Sequence, residues 1–356
     1  MPNSIEYAQK FAPIIDDIYK NGSYTAGMDT ATDPGFSGVN AVKVLKVSTT
    51  GLGDYSRSTG YPTGDVTATW ETMTLTEERG KELSVDRMDN EETLGMAFGQ
   101  VTGTFMRNHV IPELDAYRFA KYAGTSGIST TTAATLSSST ILTAIDEAVR
   151  NMDEDEVPAM GRRLYINSDL KPVLNNALTR QFGSDGTVNT VLNGYNDMPI
   201  AYVPKSRFYT SITLNDGSSS YGYVRPSTTQ SFTGDGTTTA FTVTAKPATA
   251  SIVSVTVAGT ATTAYTYVPA TGVITFTVAP ANEAAIVVTY YTAANINFMI
   301  VYPEAVLQVV KFSMPKIFDP DTNQDKDAWK FQFREYHDAF VYDNKVSGIY
   351  LHKNIV

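Results

Sequence analysis

Across residues 227–295 the only charged side chains are Asp235, Lys246 and Glu283. The runs "AFTVTA", "SIVSVTVAG", "AYTYVP", "GVITFTVA" and "AAIVVTYY" in this stretch are short and rich in β-branched and aromatic residues. Gly-Asp-Gly, Lys-Pro, Gly259, Pro269, Thr271-Gly272 and Ala279-Pro280 punctuate them. Short strands at even spacing with turn signals between them form a small β-sandwich or barrel. The flanking stretches, "DEDEVPAMGRRLYINSDL" and "FDPDTNQDKDAWKFQFREYHD", are rich in charge. A segment with its own composition, closing on itself, reads as an all-β sandwich inserted at 227–295.

The remainder is bounded by simpler features. A chain of 356 residues has room for two or three compact units. It has no cysteine, which removes disulfides, thiolate nucleophiles and cysteine metal sites. A net charge of −10 argues against a surface that grips nucleic acid all over. The first residues, "MPNSIEYAQKFAPIIDDIYKNG", lack the basic start and apolar run of a signal peptide. No run approaches the roughly 18 apolar residues of a membrane span. A soluble protein made in the cytoplasm, with no membrane partner, is the expectation.

Ile5, Ala8, Phe11, Ile15, Ile18 and Tyr19 recur at helical spacing, so a short amphipathic arm helix is predicted, followed by a turning segment around Asp33-Pro34-Gly35. Val42, Val44 and Val47, then Val66, Ala68, Trp70, Thr72 and Thr74, mark two strands. Gly51, Gly53, Gly60, Pro62 and Gly64 crowd between them. This predicts a long β-hairpin with a wide, flexible tip, and a loop of that length inside a compact domain usually has a function.

The period then changes. Asn90 caps a predicted helix with Glu91 and Glu92 in its first turn. Leu94, Phe98, Val101, Phe105, Val110, Leu114, Tyr117 and Lys121 continue it, Pro112 bends it and Gly124 stops it. Gly95, Gly99 and Gly103 share one face, where each costs about 1 kcal/mol against alanine. Close approach of another backbone is a sufficient reason for that cost. A membrane-dimer motif is excluded by the interleaved Gln100, Thr102, Arg107, Asn108 and His109. Beyond the linker 125–140, "ILTAIDEAVRNMDEDEVP" reads as a helix and "RRLYINSDLKPVLNNAL" as a strand and a helix capped near Asn167 or Ser168. "MPIAYVPKSRF" and "YGYVRP" read as strands, which makes the lobe α/β or α+β. "DAWKFQFREYHDAFVYDNKVSGIYLHKN" is predicted as two strands of one hairpin turning at Asp343-Asn344.

Catalytic chemistry is hard to find. His109, His337 and His352 are isolated, and no nucleophile elbow, Walker loop or dinucleotide fingerprint is present. The acidic run Asp153 to Glu156 reads as a solvated helix end. Asp319, Asp321, Asn323 and Asp325 have the alternation of a calcium loop. However, Gln324 stands at the glycine position and Lys330 at the bidentate glutamate position, so an exposed contact loop is expected instead. Catalytic residues, cofactors and metals are all expected to be absent.

The order of pieces, with "GMAFGQVTGTFMRNHVIPELDAYRFAKYAG" and "RRLYINSDLKPVL" as its densest parts, resembles the major capsid proteins of tailed bacteriophages, the HK97-like α+β fold. The resemblance covers nearly the whole chain outside 227–295. It implies an N-terminal arm at 1–40, an extended loop at 41–85 lying over a neighbouring subunit, and a spine helix at 86–125. It implies an axial domain at 126–226 and 296–310, and a peripheral-domain closing part at 311–356. The inserted sandwich is similar to immunoglobulin-like modules on phage structural proteins, which implies a decorating or bracing role. Tyr55, Arg57 and Tyr61 at the hairpin tip, and Asp319, Asp321 and Asp325 in the late loop, are the implied inter-subunit contacts. The tip's cation is Arg57, and the lysines Lys43, Lys46 and Lys81 sit at the hairpin base, so no lysine isopeptide crosslink is expected from the tip.

The implied function is a self-assembling shell subunit, built into hexamers and pentamers around packaged double-stranded DNA without reading its sequence. Scaffolding and portal proteins are the implied partners, with the scaffold either separate or already removed. The virion is the implied location, after assembly in the host cytoplasm. Two alternatives stand beside it: an encapsulin-like nanocompartment shell, and an adhesin or glycan-binding protein whose active part is the β-module. An enzyme ranks last.

Overall fold

The computed structural model describes residues 22–28, 36–37, 40–88, 103–177, 181–182, 188–189, 194–217, 221–248 and 251–355. The predicted arm helix and the helix start at Asn90 lie outside these residues, as do Gly95 and Gly99. The fold is mixed α+β, with few helices and many strands. It divides into one unit of Met1–Pro13, Asp29–Phe98 and Leu307–Phe340, and a second of Ile14–Met28, Gly99–Val306 and Val341–Val356.

The first unit holds the predicted hairpin. Strands Ala41–Thr49 and Val66–Thr74 pair antiparallel from Ala41 opposite Thr74 to Thr49 opposite Val66, and Phe36–Ser37 adds a short third strand. Only the base is buried, through Val42, Met73 and Leu75. Beside it Ala328–Val341 is the middle strand of a sheet flanked by Val306–Phe318 and Glu77–Asp86. Phe331, Phe333, Glu335 and His337 recur every second residue on the buried face of that strand. The elbow between hairpin and sheet is fastened to it. The Thr76 backbone N–H and hydroxyl both donate to Asp338 Oδ2 at 3.0 Å, and the Tyr336 hydroxyl donates to the Leu75 carbonyl at 3.0 Å.

The second unit is built on a six-stranded mixed sheet. Its order is Ser129–Thr130, Ile349–Lys353, Ile296–Val301, Arg163–Asn167, Met198–Val203 and Gly194–Tyr195. Ile296–Val301 lies near the middle and is buried along its whole length. Helix α1 (Ile111–Gly124), helix α2 (Ile141–Glu154) and helix α3 (Lys171–Ala177) belong to this unit. Ile141, Ile145, Ala148 and Met152 form the buried stripe of α2, packed with Leu164, Ile166, Phe298, Ile300 and Tyr350. The Asn167 side chain accepts from the Asp169 N–H, the predicted cap, which first closes a 3-10 turn ahead of α3.

One expectation is corrected here. The chain does not turn back at Asp343-Asn344 as a hairpin. A 3-10 stretch, Asp343–Gly348, intervenes, and Ile349–Lys353 enters the six-stranded sheet instead. Its almost continuous burial suits a strand covered on both faces. Pro112 stands just after an irregular turn. The chain is helical from 103, with a π-helical turn over Met106–Val110 in which the Ile111 N–H reaches back to the Met106 carbonyl. Proline supplies no N–H and crowds the carbonyl four residues before it, and the wider turn accommodates the ring.

The segment after Pro226 folds as two facing sheets within the second unit. One has the order Ser227–Thr233, Ala285–Tyr291, Ile252–Val257, Thr260–Ala261; the other Ala240–Thr242, Val273–Phe276, Tyr265–Val268. Val243, Val255, Ile274, Phe276, Ile286, Val288 and Tyr290 form their shared core. The turn at Asp235 is self-capped. Its carboxylate accepts from the Thr238 hydroxyl at 2.6 Å and from the N–H groups of Thr238 and Thr237 at 2.6 and 2.8 Å. These bonds, the Thr238 hydroxyl's foremost, hold its carboxyl far below the usual range. Gly272 has φ +75°, and a Cβ there would fall 2.4 Å from the Val243 carbonyl oxygen.

Candidate assembly interface

The register of the hairpin sorts its side chains onto two unlike faces. Leu45 stands opposite Trp70 and Val47 opposite Ala68, with Val66 facing Thr49 at the far end. Alternation puts these residues on one face. They are uncovered: Leu45 is 48% exposed, Val47 60%, Trp70 63% and Val66 71%. The opposite face carries the ion pair of Lys46 with Glu71 at 2.7 Å, alongside Ser48, Thr67 and Thr69. One face therefore satisfies itself, and the other leaves a row of large apolar groups in water.

The tip is tighter than its glycines suggested. Ser56 and Gly60 exchange backbone hydrogen bonds at 3.2 and 2.8 Å, with Gly60 at φ +83°. The Thr50 N–H donates to the Asp65 carbonyl at 3.2 Å. The rings of Tyr55 and Tyr61 lie 5.0 Å apart, and both side chains and Arg57 are exposed. The three tip residues are thus brought together on one exposed turn.

Asp319, Asp321 and Asp325 diverge. Asp319 Oδ1 accepts from the Thr322 N–H at 2.8 Å and the Thr322 hydroxyl at 2.5 Å. Asp321 pairs with Arg87 at 3.1 Å, and Asp327 pairs with the same guanidinium at 3.4 Å. Asp325 pairs with Lys330, whose hydrogen bond draws the Asp325 carboxyl below its usual range. The Asn323 side chain donates to the Ala328 carbonyl at 2.8 Å. Each side chain of the near-calcium pattern is spent on a separate partner. Among the described residues no three His, Cys, Asp or Glu side chains converge on a metal position. Gly103, the described member of the glycine stripe, is helical and partly buried.

Sequence reasoning missed two further clusters, both in the second unit. Asp115 on α1 is fully buried and accepts from the Ser23 hydroxyl at 2.6 Å, the Thr25 hydroxyl at 2.8 Å, and the N–H groups of Tyr24 and Thr25 at 3.1 and 3.2 Å. Arg207 reaches Oδ2, the oxygen that the Tyr24 N–H also reaches, at 3.3 Å, and Arg118 donates to the Thr25 hydroxyl at 2.9 Å. This network pins residues 23–25 to α1. The second cluster surrounds Arg225 at the neck of the β-module. A buried aspartate at a helical core position, and an arginine abutting a charge-poor segment, were the available signals.

The Asp153 to Glu156 run is a helix end, as expected: Asp153 pairs with Arg162 at 2.7 Å. His337 and His352 are buried and His109 is exposed. No described helix is long and apolar enough to cross a membrane.

No protein-family model and no curated protein matches the chain. Among solved structures it is similar to the capsid of the cyanophage P-SCSP1u, at 12% identity and a TM-score of 0.49, with 90% of this chain and 84% of that one covered. It is similar to the asymmetric unit of the bacteriophage PhiM1 mature capsid at 11% identity and 0.49, with 93% and 87% covered. It is also similar to a virus-like particle from Pyrococcus furiosus at 10% identity and 0.47, with 98% and 99% covered. These likenesses run nearly the length of the chain. At such identities and with TM-scores below 0.5, the functional reading rests on the residues of this chain.

Proposed function

We propose that this chain is a major capsid protein of the tailed-phage type, a structural shell subunit rather than an enzyme. The observation that carries the reading is the two-faced hairpin. An extended element with Leu45, Val47, Val66 and Trp70 in water has no core of its own to cover them. Contiguous exposed apolar surface beyond a few hundred Å² marks an interaction site. A second copy of the chain supplies the cover, and the pattern repeats around closed rings of five and six. Many such modest contacts, made simultaneously, hold a shell together.

On this reading residues 41–85 act as the extended loop, and Tyr55, Arg57 and Tyr61 meet the neighbouring subunit. Asp319, Asp321 and Asp325 lie on a loop facing a symmetry contact, and the two-sheet segment is an immunoglobulin-like insertion. Scaffolding and portal proteins are the expected partners in the host cytoplasm. Double-stranded DNA is enclosed in the virion without sequence-specific contacts, and the negative net charge suits a wall that does not hold it tightly.

Negative-stain electron microscopy beside size-exclusion chromatography with light scattering tests the reading. Closed shells, or rings of five and six subunits, are expected. A protein that stays monomeric with crowding agents and a candidate scaffold present would overturn it, and glycan binding by the β-module would be the next assay.

A further inference from the structure

The β-module has four strand edges, and three are poor templates for pairing. Thr260–Ala261 is two residues long, and Ala240–Thr242 is three, with Lys246-Pro247 just beyond. Tyr265–Val268 is four residues long and runs into Pro269. The fourth edge, Ser227–Thr233, has seven residues and pairs on one side only, with Ala285–Tyr291. Its sequence, STTQSFT, holds no charge and no proline, and its register with its neighbour runs without a bulge.

Elsewhere the chain blunts its edges. Glu77–Asp86 carries Glu77, Glu78, Arg79, Lys81, Glu82 and Asp86, and Val306–Phe318 carries Lys311, Pro315 and Lys316. The hairpin strands carry Lys43, Lys46 and Glu71. The described edges of the six-stranded sheet are two residues long. Charge, proline, bulges and shortness are the usual means of preventing edge-to-edge association. Among the described edge strands of five residues or more, Ser227–Thr233 alone has none of them.

We infer that Ser227–Thr233 is a pairing edge, and that its occupant is the same strand of a second copy, antiparallel across a two-fold axis. The strand is self-complementary in that arrangement. With Gln230 opposite its own copy, Thr229 faces Ser231, Thr228 faces Phe232 and Ser227 faces Thr233. Threonine–serine pairs across antiparallel strands are favourable, and no like charges meet. Gln230 leaves the edge clear, because its side chain turns to the other sheet. There it donates to the Thr242 carbonyl at 3.3 Å and accepts from the Thr244 N–H at 3.0 Å. A strand of an acidic partner would gain nothing from this edge beyond backbone bonds, whereas a second copy also matches its side-chain pairs.

The absence of native cysteine permits a direct test on the full chain. T229C and S231C proteins are mixed before assembly and oxidised mildly, with T266C, on the opposite side of the module, as control. Pairing predicts a mixed disulfide forming at least about 100-fold faster than in the T266C control, and faster than in either protein alone, because the thiols meet at high effective concentration. A second measurement follows hydrogen exchange at 227–233, which slows on association in the native chain and does not slow in T229K/S231K. Shells that form without the mixed disulfide and without slowed exchange overturn the pairing and leave the shell reading intact. Mixed disulfides in a protein that never forms shells or rings support the pairing and overturn the shell reading.

Discussion

The guanidinium of Arg225 lies 4.2 Å from the ring centroid of Tyr291, joining the residue two before the β-module to the end of the strand that leaves it. Tyr209 lies at 5.5 Å from the same group, Arg225 Nε donates to the Ala293 carbonyl at 2.7 Å, and one Nη donates to the Ser251 hydroxyl at 3.3 Å. The neck is further tied by the Thr292 N–H to the Pro226 carbonyl and the Thr210 N–H to the Ala294 carbonyl, both at 2.9 Å. A cation–π contact of about 1 kcal/mol and a charge-assisted hydrogen bond of about 2 kcal/mol place R225A roughly 2–3 kcal/mol below the native protein. Limited proteolysis should then cut near 292–295. R225K should recover only part of the loss, since a point charge cannot reach both acceptors.

Trp70 and Leu45 face each other on the exposed side of the hairpin, each with about half or more of its surface in water in the single chain. Replacing both with serine should lower the unfolding free energy by only about 1–2 kcal/mol, the worth of one cross-strand pair and its partial burial. The same change should abolish or sharply reduce assembly, read by light scattering. Replacing Lys46 and Glu71 on the other face should leave assembly in place.

Asp115 is the strongest polar commitment in the second unit. D115A leaves Arg207 without its carboxylate and strips acceptors from Ser23, Tyr24 and Thr25. A loss of about 3–5 kcal/mol is expected for a broken buried ion pair, read from the denaturant midpoint. D115N should cost less, because its carbonyl oxygen still accepts.

His352 makes stability depend on pH. It is buried, stacks with Phe298 at 5.0 Å, and its Nδ1 accepts from the Asn297 side chain at 3.1 Å, which needs the neutral ring. Burial pushes its pKa down, with the Glu147 charge opposing. In the unfolded chain it protonates near the ordinary value of about 6.5, while the folded chain resists. This contribution is complete above that value, declines as pH falls below it, and stops declining under the depressed folded value. Thermal melts across that window should show a slope that H352Q lacks.

The late aspartate loop should ignore calcium. Its side chains have separate partners, so millimolar calcium should leave the melting temperature unchanged. D319A should cost about 1 kcal/mol by releasing Thr322.

Much of the architecture was legible in residue order. The charge-poor β-run, the valine-rich strands of the hairpin, the α2 stripe of Ile141, Ile145, Ala148 and Met152, and the Asn167 cap are local signals, and each appears where its period placed it. These features depend on side-chain direction along one element, which sequence spacing fixes. Partnership is a different matter. Leu45 meets Trp70 only because of the strand register, and Asp115 gathers Ser23, Tyr24 and Thr25 from about ninety residues away in a contact no local propensity encodes. The final strand left its expected hairpin because the middle of a sheet could bury Ile349 to Leu351 on both faces. The aspartate loop kept the spacing of a metal site and lost its convergence, since Lys330 arrives from Ala328–Val341 and Arg87 from just past the end of Glu77–Asp86. Sequence determined which elements form and which faces are apolar. Tertiary structure decided which apolar faces are covered, because burial is a property of neighbours brought together from distant parts of the chain.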